Sequence, residues 1–174
     1  MKKDTNKNNT KEKILYKNIL LLSRNKLLYT KFHLSDTFQN RIHLIFIHIS
    51  FLFIKLNSNT KNKIYKDFYQ KVFDLVFKQI ELNMREIGYG DVVVNKNMKF
   101  LIKLFYSILL YCENYQKKTS ISKKAFFVKH LQSNDAKKAA NEENIIDYFD
   151  KFQAFCFDLS SDSVLKGELN FNYY

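Results

Sequence analysis

The chain has 174 residues, contains no proline or tryptophan, and carries a formal net charge of +12 at pH 7. Its length favours one domain with a sizeable hydrophobic core. Apolar runs separated by short polar breaks predict an all-α fold, a single compact multi-helix domain of about five to six helices. Only three of the 29 basic side chains are arginines. Because arginine is the usual residue for bidentate contacts with bases, sequence-specific recognition of DNA is not expected.

The N-terminal end of the chain carries more than half of the excess positive charge. Residues 1–31 hold nine basic and two acidic side chains, a bias that suits RNA, a ribosome or an anionic lipid surface. A genome rich in A and T would give a similar lysine content without selection for nucleic acid. Residues 1–12 are predicted to form a disordered basic segment without the apolar core of a secretory signal, and the folded domain is expected at 13–171.

The first two helices are predicted at 13–28 and from residue 36 onward, with an irregular link between them. Asp36 is the predicted N-cap of the second helix, since Gln39 follows three residues later as in a capping box. The run 42–54 contains no Lys, Arg, Asp or Glu, but its 13 residues are fewer than the ~20 that a membrane span needs. A buried central helix is therefore predicted there.

A polar stripe is predicted along this central helix, because Arg41, His48 and Lys55 recur every seven residues and so share one side of a helix. The apolar periodicity then predicts four further helices, at 63–87, 94–115, 123–132 and 137–159. The remaining segments are polar, and we expect linkers at 57–62 and 133–135 and a tail from residue 160 onward.

Two of the three glycines, Gly88 and Gly90, lie in the connection between the third and fourth predicted helices. Glycine adopts positive φ at little steric cost, so Gly88 is predicted to end the third helix. Asp91 is predicted to cap the start of the fourth. Two interpretations of this turn stay open. It is either a plain helix connector or a connector whose residues also face a partner.

Three lysines, Lys96, Lys99 and Lys103, share one side of the fourth predicted helix. They form either a solvated face or a basic strip for phosphate groups.

The sequence contains no pattern typical of a catalytic, metal or cofactor site. None of the four histidines has a His, Cys or carboxylate partner at a ligand spacing on a helix. Cys112 and Cys156 are 44 positions apart without a C-x-x-C motif, so buried free thiols in a reducing compartment are expected. No phosphate-binding loop, dinucleotide fingerprint or nucleophile elbow occurs. We therefore expect a protein that is not an enzyme and needs no cofactor.

Several of these segments together resemble the ubiquinol–cytochrome c chaperone family. The most specific block is MREIGYGD at 84–91, preceded by VFDLVF at 72–77 and followed by V-x-K-x-M-K at 94–99. A second block of the family is similar to DTFQNR at 36–41, which leads into an apolar helix with His48. Weaker matches near both ends extend the resemblance over residues 16–171, nearly the whole chain.

The resemblance implies an all-α assembly factor for the cytochrome bc complex (respiratory complex III) that attends newly made cytochrome b. It implies a ribosome and a small partner protein as further partners. The basic charge of the chain adds an anionic membrane surface as another candidate partner. The implied location is cytoplasmic and peripheral to the inner membrane, or the mitochondrial matrix in a eukaryote. The residues expected to bind a partner are Asp36, Arg41, His48, Arg85, Glu86, Gly88, Gly90, Asp91, Lys96, Lys99 and Lys103.

Within this set, Arg85 and Glu86 are expected to engage Asp36 or Arg41. Two other functions stay open beside the chaperone. A basic helical RNA- or ribosome-binding module would show an affinity for RNA that falls steeply with salt. A peripheral membrane protein held by residues 1–31 would lose liposome binding without that segment. A structural role in folding alone also stays open for the turn and its caps.

Overall fold

The computed structural model describes residues 10–57, 62–133 and 138–173. In these ranges the chain forms eight α-helices, a single 3-10 turn at Tyr115–Lys117 and one isolated bridge between Leu34 and Ser133. The helices are α1 (Lys11–Ser23), α2 (Lys26–Thr30), α3 (Phe38–Asn57), α4 (Lys63–Glu86), α5 (Asp91–Glu113), α6 (Ser120–His130), α7 (Lys138–Asp158) and α8 (Ser161–Lys166). The predicted all-α fold in one compact unit is confirmed, with more helices than the expected five to six.

The additional helices are short ones at the two ends of the chain. The predicted helix 13–28 is divided, because the Asn25 side chain accepts the N–H of Leu27 and starts α2 as a separate turn. In the polar tail, the Ser160 side chain caps α8 by accepting the N–H of Ser163. Residues 1–9 of the basic segment predicted at 1–12 lie outside the described residues. Helix α1 begins at Lys11, two residues before the predicted start of the first helix.

The start of α3 differs from the prediction in its capping residue. Asp36 is not the N-cap, because its carboxylate accepts two hydrogen bonds from the Arg41 guanidinium, at 2.7 and 2.8 Å. The Thr37 hydroxyl instead accepts the backbone N–H of Asn40 at 3.1 Å, and α3 begins at Phe38. A bidentate pair with arginine uses both carboxylate oxygens, so the neighbouring hydroxyl takes the capping role.

Helix α3 is the centre of the fold, as its uninterrupted apolar run predicted. It packs against α1, α4, α5, α7 and α8, and 14 of its 20 residues are buried. A helix that is apolar on all sides needs neighbours on all sides, which explains this arrangement. Within the described part of the chain, no helix combines the length and apolarity that crossing a bilayer requires.

The polar stripe predicted along α3 does not form a continuous exposed surface. Arg41 lies at the exposed start of the helix, whereas His48 is fully buried and bonds to Tyr148 of α7. Lys55 donates to the backbone oxygen of Phe157 at 2.6 Å. The seven-residue spacing therefore identified one side of α3, but α7 covers that side at His48 and Lys55.

Asn40, at the start of α3, holds the link before the helix against the end of α6. Its side-chain nitrogen donates to the backbone oxygens of Ser35 and Gln132 at 2.7 and 2.8 Å, and its side-chain oxygen accepts the N–H of Gln132 at 2.9 Å. The side chain is fully buried. These three bonds satisfy polar groups that would otherwise be desolvated without partners.

Both cysteines are free and buried in the helical core, as expected. Burial raises the pKa of the Cys112 thiol and of the Cys156 thiol well above the ordinary value. The reactive thiolate form is therefore disfavoured at neutral pH.

Candidate functional site

The turn between α4 and α5 has the geometry predicted for a glycine-terminated helix. Gly88 has φ +102, and the N–H of Tyr89 bonds back to the oxygen of Met84 at 3.1 Å. The chain thereby closes the last turn of α4 and reverses direction, as glycine at this position permits. Gly90 is the N-cap of α5 and has an ordinary φ of −71.

Asp91 has a different role from the predicted cap. It is the first residue of α5, no side-chain cap is present there, and its carboxylate accepts a hydrogen bond from the Arg85 guanidinium across the turn. Arg85 also bonds to Glu81, one turn earlier on α4, at 2.9 Å. Hydrogen bonds to Asp91 and then Glu81 raise the pKa of Arg85. Glu81, Arg85 and Asp91 therefore form two linked ion pairs on the exposed side of the turn.

The expected contact of Arg85 with Asp36 or Arg41 is wrong. Asp36 and Arg41 pair with each other, and the Arg41 hydrogen bond lowers the pKa of the Asp36 carboxyl. Arg85 takes nearer partners because Glu81 and Asp91 are four and six residues away along the chain. Glu86 and Arg41 do line one cleft together, so the two segments meet there without an Arg85 bond.

Two clefts flank the start of α3 beside this turn. The Tyr89 cleft, of about 360 Å³, lies between α3, α4 and α5. The Tyr16 cleft, of about 240 Å³, lies between α1, α3 and α4. Phe38 and Ile42 line both of them. The apolar part of the Tyr89 cleft is formed by Phe38, Ile42, Met84, Tyr89, Phe100 and Leu101.

Large apolar side chains stand exposed at the mouths of these clefts. Tyr89 is 44% and Phe100 is 61% exposed beside the Tyr89 cleft, and Ile87 is exposed beside the Tyr16 cleft. Neighbouring apolar residues on a surface are typical of sites where another molecule binds. The charged residues of the turn, Arg85 and Asp91, are exposed close to them in the sequence.

A pair of histidines underlies the Tyr89 cleft, and sequence reasoning missed it. His43 lines the cleft, its Nδ1 bonds to the backbone oxygen of His130, and the two rings meet edge-on with centroids 5.7 Å apart. The buried Nε2 of His43 has no hydrogen-bond partner among the described residues. Burial lowers the pKa of His43 and lowers that of His130 to about 4, so both rings are neutral at pH 7. The two residues are 87 positions apart, and no sequence spacing could have paired them.

The predicted site residues fall into four places in the structure. Arg85, Glu86, Gly88, Gly90 and Asp91 lie together at the turn, and Asp36 and Arg41 lie near the Tyr16 cleft. The three lysines are exposed along α5, which begins at the turn. His48 lies in the core, away from any surface that a partner could contact.

The chemistry of this region suits binding. Across the described ranges, no group of three His, Cys, Asp or Glu side chains is placed to hold a metal ion. The clefts instead offer aromatic and aliphatic walls with an ionic rim, an arrangement that accepts apolar side chains of another molecule.

Comparison with known proteins places these features in a family. The profile described as "Ubiquinol-cytochrome C chaperone" matches residues 30–171, which include every predicted site residue. The crystal structure of the Cbp3 homolog from Brucella abortus aligns with a TM-score of 0.79 and 20% sequence identity, covering 94% of this chain and 89% of that chain. At this identity the likeness shows the fold alone. A comparison with curated protein sequences finds no match.

Proposed function

Because this chain belongs to the ubiquinol–cytochrome c chaperone family, we propose that it assists assembly of the cytochrome bc complex by binding newly made cytochrome b. The observation that carries this proposal is the pair of apolar clefts that meet at Phe38 and Ile42 beside the α4–α5 turn. A chaperone for a membrane protein needs an apolar surface that a hydrophobic client segment can occupy before it reaches its final partners.

The dimensions of the clefts suit a reversible contact with a helical client. Each cleft, at about 240 and 360 Å³, accommodates a few apolar side chains. Burying one such side chain contributes about 1.5–3 kcal/mol before the cost of association is subtracted. A client held by two or three side chains would bind firmly enough to be protected and still be released. The exposed ion pair of Arg85 and Asp91 then borders the client as a polar rim.

The family and the charge of the chain support the proposed setting. We place the protein in the cytoplasm at the inner membrane, or in the mitochondrial matrix in a eukaryote. The net charge of +12 supports contact with the ribosome that makes the client. A small partner protein completes the proposed set, and catalysis is not part of the proposal.

The test is an affinity purification of the tagged full chain from cells that make cytochrome b, with the co-purified client quantified. The Tyr89→Ser/Phe100→Ser variant removes the two exposed aromatic rings of the Tyr89 cleft. We expect it to reduce recovered cytochrome b at least about tenfold, because two apolar contacts are lost. Asp91→Lys, which breaks the ion pair with Arg85, is expected to lower recovery as well.

The matched control is Leu21→Ser/Ile64→Ser. Both side chains are exposed to the same extent as Phe100, at 62% each, but they lie on α1 and at the start of α4, outside the two clefts. Recovery equal to that of the unchanged protein is expected for this control. Equal loss in the cleft variant and the control, or no cytochrome b with the unchanged protein, would contradict the proposal.

A second candidate is a basic helical RNA- or ribosome-binding module without a chaperone role. The observation that favours it is the exposure of Lys96, Lys99 and Lys103 on α5. Ribosomal RNA recovered without cytochrome b, an RNA affinity falling steeply with salt, and intact complex III after deletion of the gene would support this alternative.

A further inference from the structure

Helix α5 exposes one continuous row of side chains over most of its length. The row, here called the α5 face, comprises Val92, Lys96, Lys99, Lys103, Tyr106 and Leu110. At 100° per residue these six positions fall within about 80° of the helix circumference, and at 1.5 Å per residue they span about 27 Å. The row therefore forms one exposed side of the helix.

Within the described ranges, no ion pair neutralises the positive charge of the α5 face. Among the described residues, no carboxylate forms an ion pair with Lys96, Lys99 or Lys103. The helix carries acidic residues only at its two ends, Asp91 and Glu113, and Asp91 is bound to Arg85. Three lysines therefore present an uncompensated charge near the middle of the row.

Apolar side chains stand at both ends of the same row. Val92 is 83% and Leu110 is 63% exposed, and Tyr106 is half exposed beside the lysines. Val92 and Leu110 lie on the side of α5 opposite to the one that the helix buries against the core. The face thus combines apolar anchors with lysines, as helices that lie on membrane surfaces do.

The start of α6 lies beside the C-terminal end of α5, next to the α5 face. The Tyr111 hydroxyl lies 3.2 Å from the Ser122 hydroxyl, and the Lys118 ammonium lies 5.2 Å from the centre of the Tyr111 ring. These contacts place Lys118 and the highly exposed Ile121 beside the C-terminal end of α5.

We propose that the α5 face binds the surface of an anionic lipid bilayer, with its lysines at the headgroup phosphates and Val92 and Leu110 inserted between the lipids. Phosphates of RNA would attract the same lysines, but RNA offers no environment in which exposed valine and leucine gain by burial. A bilayer interface satisfies both kinds of side chain at once. This inference rests on the proposed location at the inner membrane, but it does not depend on client binding, because the α5 face is distinct from the two clefts.

Vesicle sedimentation with the full chain tests the proposal. The probes are vesicles of phosphatidylcholine alone and vesicles in which about a third of the lipid is phosphatidylglycerol. We expect binding to the anionic vesicles only, weakening as salt is raised. The variant Lys96→Gln/Lys99→Gln/Lys103→Gln is expected to reduce the partition coefficient roughly 10- to 100-fold, since each lysine at the surface contributes. The variant Val92→Ser/Leu110→Ser is expected to reduce it several-fold by removing the inserted side chains.

The matched control removes the same charge from another surface, as Lys63→Gln/Lys66→Gln/Lys78→Gln on α4. These three lysines are also exposed and form no ion pair within the described ranges. We expect binding close to that of the unchanged protein, and circular dichroism verifies that every variant folds. Equal losses of vesicle binding in the two lysine variants would overturn the proposal, because binding would then depend on net charge and not on the α5 face. Binding of RNA in place of vesicles through the same lysines would also overturn it.

The two proposals fail in different experiments. If the α5 lysine variant loses vesicle binding but still recovers cytochrome b fully, the α5 face and the clefts bind different molecules. Vesicle binding that survives the α5 lysine variant contradicts the bilayer surface and leaves the client proposal untouched.

Discussion

The hydroxyl of Tyr148 donates a hydrogen bond of 2.9 Å to Nε2 of His48 in the centre of the protein, although the two residues are 100 positions apart. The opposite ring nitrogen of His48 bonds to the backbone oxygen of Leu44 at 2.7 Å. Because that oxygen can only accept, Nδ1 carries the hydrogen and Nε2 accepts from Tyr148. Burial lowers the pKa of His48 to about 4, so the ring is neutral at pH 7. The bond fixes α7 against α3 at a completely buried position.

Removing the Tyr148 hydroxyl should destabilise the protein. In Tyr148→Phe the buried Nε2 of His48 loses its donor, and the free energy of unfolding is expected to fall by about 1–2 kcal/mol. Urea denaturation followed by circular dichroism measures the change. The control is Tyr173→Phe, whose hydroxyl donates to Asp147 at the surface, and there we expect at most about 0.5 kcal/mol. Equal losses in the two variants would show that burial of the His48 pair carries no special cost.

Mild acid should weaken the fold through its buried histidines. The pKa values of His48 and His130 are lowered to about 4 by burial, whereas an unfolded histidine titrates near 6.5. Between these values the unfolded chain binds protons that the folded chain does not. Stability is therefore complete above about pH 6.5 and falls as the pH drops towards 4, by about 1–2 kcal/mol per histidine at pH 5.

Urea titrations between pH 7.5 and 5 measure this dependence. His48→Gln should lower stability at pH 7 but flatten the decline between pH 6.5 and 5, because one titrating group is gone. Tyr148→Phe should lower stability and keep the decline, since His48 is still present. Asp36 and Asp147 have lowered pKa values, so their stabilising effect is lost only as the pH falls below about 4, the ordinary pKa of a carboxyl. They therefore do not alter the decline between pH 6.5 and 5. A flat profile down to pH 5 would contradict the burial of these rings.

The two glycines of the α4–α5 turn should respond oppositely to the same substitution. Gly88 has φ +102, which a residue with a β-carbon adopts only under strain, so Gly88→Ser should cost about 1–2 kcal/mol. Gly90 is an N-cap with φ −71, and serine is a preferred N-cap residue. We therefore expect Gly90→Ser to be neutral or stabilising by a few tenths of a kcal/mol. Thermal unfolding measures the stability of the two variants. Equal losses of stability in both would contradict the prediction.

The third glycine, Gly167, should be the least tolerant of a side chain. It ends α8 with φ +75, and a β-carbon there would lie 2.8 Å from Cγ2 of Ile14 and 2.9 Å from the backbone nitrogen of Leu15. Gly167→Ala is therefore expected to cost at least about 2 kcal/mol through strain and overpacking. The oxygen of Gly167 also accepts a hydrogen bond from Asn18. A melting temperature unchanged from that of the unaltered chain would show that Gly167 is not packed closely against Ile14 and Leu15 of α1.

Local patterns predicted the helices well where the apolar period was long. The predicted helices at 63–87 and 137–159 correspond to Lys63–Glu86 and Lys138–Asp158 in the structure. Gly88 was correctly assigned to the end of α4, since a glycine after a long periodic run is a local signal. The short helices α2 and α8 were missed because five or six residues contain too little periodicity to detect.

Capping residues were predicted less well because several neighbours compete for one role. Asp36 and Asp91 are both good caps by type, yet each binds an arginine instead. Asn40 was not identified as important, although it joins the link before α3 to Gln132 of the chain after α6. A hydrogen bond over 92 residues leaves no trace in the local sequence pattern.

The sequence alone determined that the chain is helical, that α3 is central, and that the block 84–91 belongs to a turn typical of one chaperone family. These properties depend on residue periodicity, on glycine conformation and on a contiguous motif, all of which are local along the chain. The tertiary structure alone decided that His48 is buried, that His43 meets His130, and that two clefts share Phe38 and Ile42. Each of these depends on which helices pack together, and packing brings together residues whose separation in the sequence carries no information about their contact.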